Sequence, residues 1–188
     1  KVLSGEHAID SGEIWFKGEK LDHQDTKAAL EMGISMIHQE LSPVLDMTIA
    51  ENLALGQEPK GKLGALDRKA MNKSARAKLQ AVGLDIDPRT KMRSLTIGMQ
   101  QLTEIARAVS ENAKVLILDE PTSALSVPES ERLFTIIDEM RARGVGLVYI
   151  SHRMEEVWKL SDRITVFRDG KSIGTKETGE IVPSDVVQ

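Results

Sequence analysis

Two carboxylates and a histidine are the residues of this sequence best suited to do chemistry. Asp119 and Glu120 lie within Val115-Leu-Ile-Leu-Asp-Glu-Pro-Thr-Ser-Ala-Leu125, and His152 ends Gly146-Leu-Val-Tyr-Ile-Ser-His152. The apolar run before the acids reads as a strand buried on both faces of a parallel sheet, and Pro121 prevents it from continuing. Open parallel sheets bind ligands beyond the carboxyl ends of their strands, so both acids fall where a site forms. An aspartate there can hold a hydrated Mg²⁺, which takes oxygen ligands and keeps several waters. A glutamate beside it can orient and deprotonate a water for attack on a phosphoryl group. Leu-Asp-Glu alone also reads as a strand end with two solvated acids. The Pro-Thr-Ser-Ala-Leu that follows, and a second strand ending at Ser151-His152, favour the site. Asp119 and His152 are 33 positions apart, room for one crossover helix between parallel neighbours. His152 can therefore meet a terminal phosphate or hold the attacking water; standing alone it would read as a structural histidine. His7, His23 and His38 belong to no such pattern.

The elements that must position these residues alternate. Gly12-Glu-Ile-Trp-Phe-Lys-Gly18 with Glu19-Lys-Leu21 reads as a strand, a turn and a short return strand. Ala28 to Met32 reads as the end of a helix, and Gly33-Ile-Ser-Met-Ile-His38 as a short strand. Thr48 to Leu55 is a short helix ended by Gly56, and residues 56–66 read as loop. Asp67 can cap a helix running to about Val82, with Gly83 as its stop. Gln100 to Asn112 carries Leu102, Ile105, Ala106 and Val109 on one face, a helical pattern. Helices are also expected from Pro128 to Arg143 and from Arg153 to Leu160, and a second buried strand over Gly146 to Ile150. Arg163 to Arg168, Asp169-Gly170 and Lys171-Ser-Ile-Gly form a hairpin pattern with an Asp-Gly turn. This order means an α/β domain with a largely parallel sheet.

Composition removes several alternatives. The 188 residues carry 25 Lys+Arg against 29 Asp+Glu, a net charge of −4, which argues against a dedicated nucleic-acid binder. Aromatic residues are 3%, too few for base-stacking platforms. The absence of Cys excludes disulfides, thiolate metal sites and a Cys nucleophile. No apolar run approaches the roughly 18 residues of a membrane span. The basic run Arg68, Lys69, Lys73, Arg76 and Lys78 reads as the solvated face of a helix, with anionic lipid or nucleic acid as the alternative.

Asp119-Glu-Pro-Thr-Ser-Ala-Leu125 with Ile150-Ser-His152 resembles the Walker B, D-loop and switch-histidine region of an ATP-binding-cassette ATPase. Ile37-His-Gln-Glu-Leu41 is similar to the family's Q-loop, which makes Gln39 the glutamine reaching Mg²⁺ and the attacking water. Leu95-Thr-Ile-Gly-Met-Gln-Gln101 stands in the place of the signature Leu-Ser-Gly-Gly-Gln, directly before a helix. There, free N–H groups at the helix start would face the γ-phosphate held by the opposite cassette of a dimer. The wording Gly33-Ile-Ser-Met-Ile-His-Gln-Glu-Leu41, Thr48-Ile-Ala-Glu-Asn-Leu53 and Val148-Tyr-Ile-Ser-His-Arg-Met-Glu-Glu156 narrows the resemblance to ribose, galactose and xylose importer ATPases. Those carry two cassettes in one chain, on the cytoplasmic face of the bacterial inner membrane.

The resemblance implies a P-loop NTPase-like α/β fold with an inserted helical subdomain and a small antiparallel β part. It implies one partial cassette over 1–188, with residues 46–112 as the helical subdomain and 113–175 as the core. Asp119 would hold Mg²⁺, with Gln39 partly through water. Glu120 would act as general base, and Gln39 and His152 would sense the γ-phosphate of ATP. Leu95, Thr96, Ile97, Gly98 and Met99 would act in trans on the partner's nucleotide, with Ser123, Ala124, Leu125 and Ser126 as the D-loop. Implied partners are a second cassette (in the same parent chain or a second copy), a membrane permease met by the segment after Gln39, and indirectly a periplasmic sugar-binding protein. That segment also reads as a plain surface helix.

Some positions depart from the family pattern. Thr96 keeps the hydroxyl of Ser, Ile97 stands for the first Gly, and Met99 replaces Gln and loses its hydrogen bonds. Ser126 stands where Asp is common, which leaves coupling through that position open. No Gly-x-x-x-x-Gly-Lys-Ser/Thr occurs in the chain. Lys1-Val-Leu-Ser-Gly5 matches the end of the helix following that loop. The expectation is therefore a chain lacking the N-terminal strands and phosphate loop and cut at both ends, with another helix beginning over 184–188. Such a piece alone would hydrolyse ATP very poorly. Two other readings stand beside it: a cassette piece that docks without turnover, and an ATPase of DNA repair or chromosome structure. The latter inserts a long coiled coil between Q-loop and signature, whereas Gln39 and Leu95 are 56 positions apart here, with no sustained heptads.

Overall fold

The structure, a computed structural model, describes residues 1–21, 25–38, 42–61, 64–110 and 113–180. Gln39 and the helix expected over 184–188 lie outside the described residues. The elements are β1 (Trp15–Phe16), β2 (Glu19–Lys20), α1 (Thr26–Glu31), β3 (Ile34–Ile37), α2 (Ile49–Ala54), α3 (Arg68–Ala81) and α4 (Ile97–Ser110). They continue with β4 (Val115–Asp119), α5 (Val127–Ala142), β5 (Gly146–Ile150), α6 (Met154–Leu160), β6 (Arg163–Arg168) and β7 (Lys171–Glu177).

The parallel sheet has the order β3–β4–β5, so the strand carrying the two acids is central. Its side chains alternate between two cores, as the pleat requires. Leu116 and Leu118 join the larger cluster with Ile49, Met71, Leu79, Met92, Ile105 and the α5 residues Leu133 and Ile137. Ile117 points to a smaller cluster with Leu21, Ala29 and Ile34. Burial of each such side chain stabilises by about 1.5–3 kcal/mol. The larger cluster is continuous across α2, α3, α4, α5 and the sheet, which fixes the helices relative to the strand ends.

β5 differs from its expected burial on both faces. It pairs only with β4 among the described strands, and Val148 and Ile150 remain 41% and 45% exposed. An apolar run alone does not distinguish a central strand from an edge strand. β1–β2 and β6–β7 are antiparallel hairpins, the second closing through Asp169–Gly170 as its sequence predicts. Among the described residues no helix is long and apolar enough to cross a membrane.

Helix boundaries follow local chemistry. Asp25 accepts the Ala28 N–H at 2.7 Å, so α1 is a complete six-residue helix rather than the tail of a longer one. Asp67 accepts the Ala70 N–H at 2.9 Å and starts α3 as expected. That helix ends where Gly83 takes φ +69°, with Leu84 N–H bonded to the Leu79 carbonyl. Arg132 of α5 adds a bond from Nε to the Val82 carbonyl, placing a cation at the helix C-terminus. Residues 1–6 form a turn, with Glu6 N–H bonded to Lys1 O and Gly5 N–H to Val2 O. α4 begins at Ile97, three residues before the expected start at Gln100. Its first turn carries outward-facing Ile97, 62% exposed, so apolar periodicity did not reveal it.

The start of α2 is tied twice. Thr48 Oγ1 accepts the Glu51 N–H at 3.2 Å, and the Glu51 carboxylate accepts the Thr48 N–H at 2.8 Å. Those bonds, first from the Thr48 backbone and then from its hydroxyl, hold the Glu51 carboxyl below its ordinary 4.5. We expect Thr48→Ala to lower the unfolding free energy by about 1 kcal/mol at neutral pH. A carboxyl depressed in the folded state stabilises fully above the unfolded value and loses that contribution as pH falls through the folded one. The difference between variant and parent should therefore shrink when the pH is taken from neutral to below the ordinary carboxyl value. Urea unfolding of both chains at the two pH values checks this.

Candidate functional site

Parallel pairing of β4 with β5 aligns Asp119 with Ile150, so both strands end at the same edge. The ladder then runs one residue further, because the Glu120 N–H donates to the Ile150 carbonyl at 2.9 Å. Glu120 itself turns into the left-handed region at φ +46°, a conformation that costs a residue with a Cβ about 1–2 kcal/mol. Ser123 N–H closes the turn on the Glu120 carbonyl. This turn carries the Glu120 side chain out of line with the strand and beside the next loop. There, His152 Nδ1 lies 3.1 Å from Glu120 Oε1. Donation from Nδ1–H to the carboxylate leaves Nε2 of a neutral ring as an acceptor. Sequence spacing places Asp119, Glu120 and His152 at neighbouring strand ends; the structure brings Glu120 and His152 into contact, with Asp119 at the same sheet edge.

The donor set suits a hydrated divalent cation rather than a protein-built cage. Among the described residues no group of three or more His, Cys, Asp or Glu is arranged to hold a metal ion. Mg²⁺ typically needs only one or two carboxylates, with waters and substrate phosphates completing its octahedron. Asp119, half-buried at the strand end, is a carboxylate of the kind such an ion takes.

The signature-like segment forms the start of α4 instead of preceding it. Thr96 Oγ1 accepts the Met99 N–H at 3.2 Å, and the Thr96 carbonyl accepts the Gln100 N–H. Leu95 is half-buried against the large core, Thr96 and Ile97 are exposed, and Gly98 is buried. Met99 offers only backbone groups here, its carbonyl accepting from Thr103 Oγ1 at 2.8 Å. A side-chain amide is supplied one residue later, where Gln100 Nε2 donates to the Met92 and Leu95 carbonyls.

In the D-loop-like segment Ser123 and Ala124 are exposed and Leu125 packs against the core. Ser126 starts α5, and both its N–H and its hydroxyl donate to Glu129, at 2.8 and 2.6 Å. The hydroxyl bond first, then the backbone bond, lowers the Glu129 carboxyl from its ordinary value. The same carboxylate lies against Gly98: a Cβ built there would stand 2.6 Å from Glu129 Oε2. Glu129 thus joins the D-loop-like turn to the first turn of α4.

Sequence reasoning did not identify Glu156, which organises the loops around the site. It is 7% exposed and carries four partners. Thr122 Oγ1 lies 2.9 and 2.8 Å from its two oxygens, Tyr149 OH donates at 2.7 Å, and Ser151 Oγ sits at 3.4 Å. Arg153 Nη1 forms an ion pair with it at 2.7 Å. Burial first, then the bond to Glu156, pushes the Tyr149 hydroxyl far up, so it remains a donor. The available signal was a glutamate on the face of α6 that also carries Val157 and Leu160, where a carboxylate must find partners.

Comparisons with known proteins identify the family and the fold. The protein-family model described as ABC transporter matches residues 1–123. A putative ribose/galactose/methyl galactoside import ATP-binding protein of Rhizobium etli is 50% identical, aligning with all of this chain and 37% of its own length. A galactose/methyl galactoside import ATP-binding protein of Photobacterium profundum is 47% identical over 100% of this chain and 38% of its own length. An arabinose import ATP-binding protein of Yersinia pestis is 49% identical over 93% of this chain and 33% of its own length. The chain therefore spans little more than a third of the length of these relatives. Among solved structures, a nucleotide-free ATP-binding cassette from an ABC transporter superposes with a TM-score of 0.84 at 24% identity, covering 100% of this chain and 79% of that one. A dimeric post-hydrolysis cassette bound to ADP and Pi superposes at 0.79 and 21% identity, covering 94% and 78%. At these identities the structural likeness is one of fold.

The contact between Gly98 and Glu129 leads to a specific expectation. Gly98→Ala must displace the Glu129 carboxylate from Ser126, so it should cost about 1 kcal/mol, the value of a helix cap. In a Glu129→Ala background the obstruction is gone, and the same change should be nearly neutral. A double-mutant cycle by chemical denaturation measures this coupling. Equal costs in the two backgrounds would refute the contact.

Proposed function

Because the chain belongs to the ABC transporter family, we propose that it forms part of an ATP-binding and ATP-hydrolysing cassette of a monosaccharide importer. The observation that carries this reading is the Glu120–His152 hydrogen bond at adjacent parallel strand ends, one residue beyond Asp119. A carboxylate and an imidazole held together can orient a water and meet the terminal phosphate it attacks. Glu120 is the general base and His152 the residue at the γ-phosphate. Gln39 joins them on the strength of its sequence motif. Asp119 holds Mg²⁺, which when bound neutralises charge on the phosphate oxygens.

The remaining assignments concern partners. Leu95, Thr96, Ile97, Gly98 and Met99 act on the nucleotide of an opposing cassette, and Ser123, Ala124, Leu125 and Ser126 contact that same partner. Support comes from the shared surface these segments form through Glu129, where Ile97 and Val127 are 62% and 76% exposed. We assign residues 46–112 to a helical subdomain and 113–175 to the core. A permease is the partner for the groove bounded by His38, Ser42, Asn52 and Leu55. Asn52 binds both the N–H and the carbonyl of Val44, and Val44, Leu45 and Leu55 are exposed apolar residues. The cassette then works at the cytoplasmic face of the bacterial inner membrane, with a periplasmic sugar-binding protein as the indirect partner.

Docking on a permease or a partner cassette without turnover is the second reading. In the full-length protein carrying this segment, Glu120→Gln should lower kcat at least about 100-fold while leaving ATP affinity in place. Steady-state ATPase assays paired with nucleotide titration test this. Unchanged turnover in Glu120→Gln would remove the enzymatic reading, and permease association without nucleotide binding would establish the docking one. The 188-residue chain alone should turn over ATP at background rates.

A further inference from the structure

We propose that Glu156 is a positioning residue that sets the geometry of the Glu120–His152 pair. The inference rests on the roles proposed for those two residues, and it is carried by where the four partners of Glu156 lie. Thr122 is two residues beyond Glu120, in the turn that follows β4. Ser151 immediately precedes His152, and its Oγ also accepts the Arg153 N–H at 3.0 Å. Tyr149 lies on β5, paired in register with Leu118 of β4. One carboxylate therefore ties the loop bearing the base to the loop bearing the histidine.

A carboxylate offers about four acceptor sites, and Thr122, Tyr149, Ser151 and Arg153 supply a matching set of donors. Arg153 compensates the buried charge. Because every partner donates, the network has one polarity and no alternative hydrogen-bond arrangement of equal quality. Loss of the carboxylate would leave the Thr122 and Tyr149 hydroxyls seeking new acceptors, which they can reach only by moving the loops apart. Glu120 is sensitive to such movement, because its left-handed backbone is held by its bond to the Ile150 carbonyl.

The test uses two readouts. In the 188-residue chain, amide hydrogen exchange is compared at Glu120, bonded to Ile150, and at Ile49, bonded to Thr90 far from the network. Glu156→Ala should speed exchange at Glu120 about tenfold or more relative to Ile49, and Glu156→Gln should do so less. In the full-length protein, Glu156→Ala should lower kcat about tenfold or more with little change in KM, with partial rescue by Gln. Thr122→Val and Tyr149→Phe, which keep the carboxylate, should give smaller changes of the same kind. They decide the matter by the same criteria if Glu156→Ala fails to fold. Equal acceleration at both amides, or an unchanged kcat in a protein whose turnover Glu120→Gln does abolish, would overturn the proposal. If Glu120→Gln leaves hydrolysis intact while Glu156→Ala still loosens the Glu120 amide selectively, the functional reading fails and the positioning role stands.

Discussion

Parallel pairing of β4 with β5 governs everything else in the site, because parallel strands deliver their carboxyl ends to one edge. Antiparallel neighbours would have put Asp119 and Ser151 at opposite ends of the sheet. The bond from Glu120 N–H to Ile150 O carries the pairing into the first loop residue, where the chain has already left strand geometry. At that point the backbone turns left-handed, and Pro121 cannot donate a further ladder bond. The unfavourable conformation of Glu120 persists because both sides hold it: β4 is buried between two cores, and the loop beyond is gripped by Glu156.

The features legible in the sequence were those whose causes are local. Four apolar residues, two acids and a proline define the end of β4 without reference to any other element. Asp67 and Gly83 bracket α3 because capping acts within a turn. The Asp169–Gly170 hairpin is read in the same way. Where the sequence reading missed, the deciding partner was distant. α4 starts at Ile97 because Thr96 caps it, and no core-facing large side chain marks that first turn. β5 looks like a central strand in composition and is an edge strand in the described sheet. The place of Glu156 on the apolar face of α6 marks it as a carboxylate needing partners, but its link to the turn after β4 lies in Thr122, which is 34 residues earlier.

The departures from the family's motif wording take on a physical sense in this light. Ser126 stands where aspartate is common, and a serine hydroxyl carries no charge. Here it donates to Glu129, so the negative charge sits three residues later on the first turn of α5. Helix starts favour such a carboxylate by their dipole. The charge is retained near the turn but directed inward, against Gly98, rather than outward. Met99 shows a related transfer. Its own side chain cannot hydrogen-bond as glutamine does, while Gln100 supplies an amide to the turn just before the helix.

Gly98 links the Ser126 turn to the start of α4. The first turns of α4 and α5 touch through the Glu129 carboxylate, and only a residue without a side chain admits it at this separation. Ser126 fixes that carboxylate from one side while the backbone of α4 closes on it from the other. Any shift of the D-loop-like turn is therefore felt at the start of α4 through a single side chain. The Glu120–His152 pair lies on the other side of the same loop, held by Glu156. Residues 120–126 are thus clamped at both ends by buried or partly buried glutamates, one from α6 and one from α5. Through these two carboxylates the Glu120 end of the segment is joined to the surface it shares with α4.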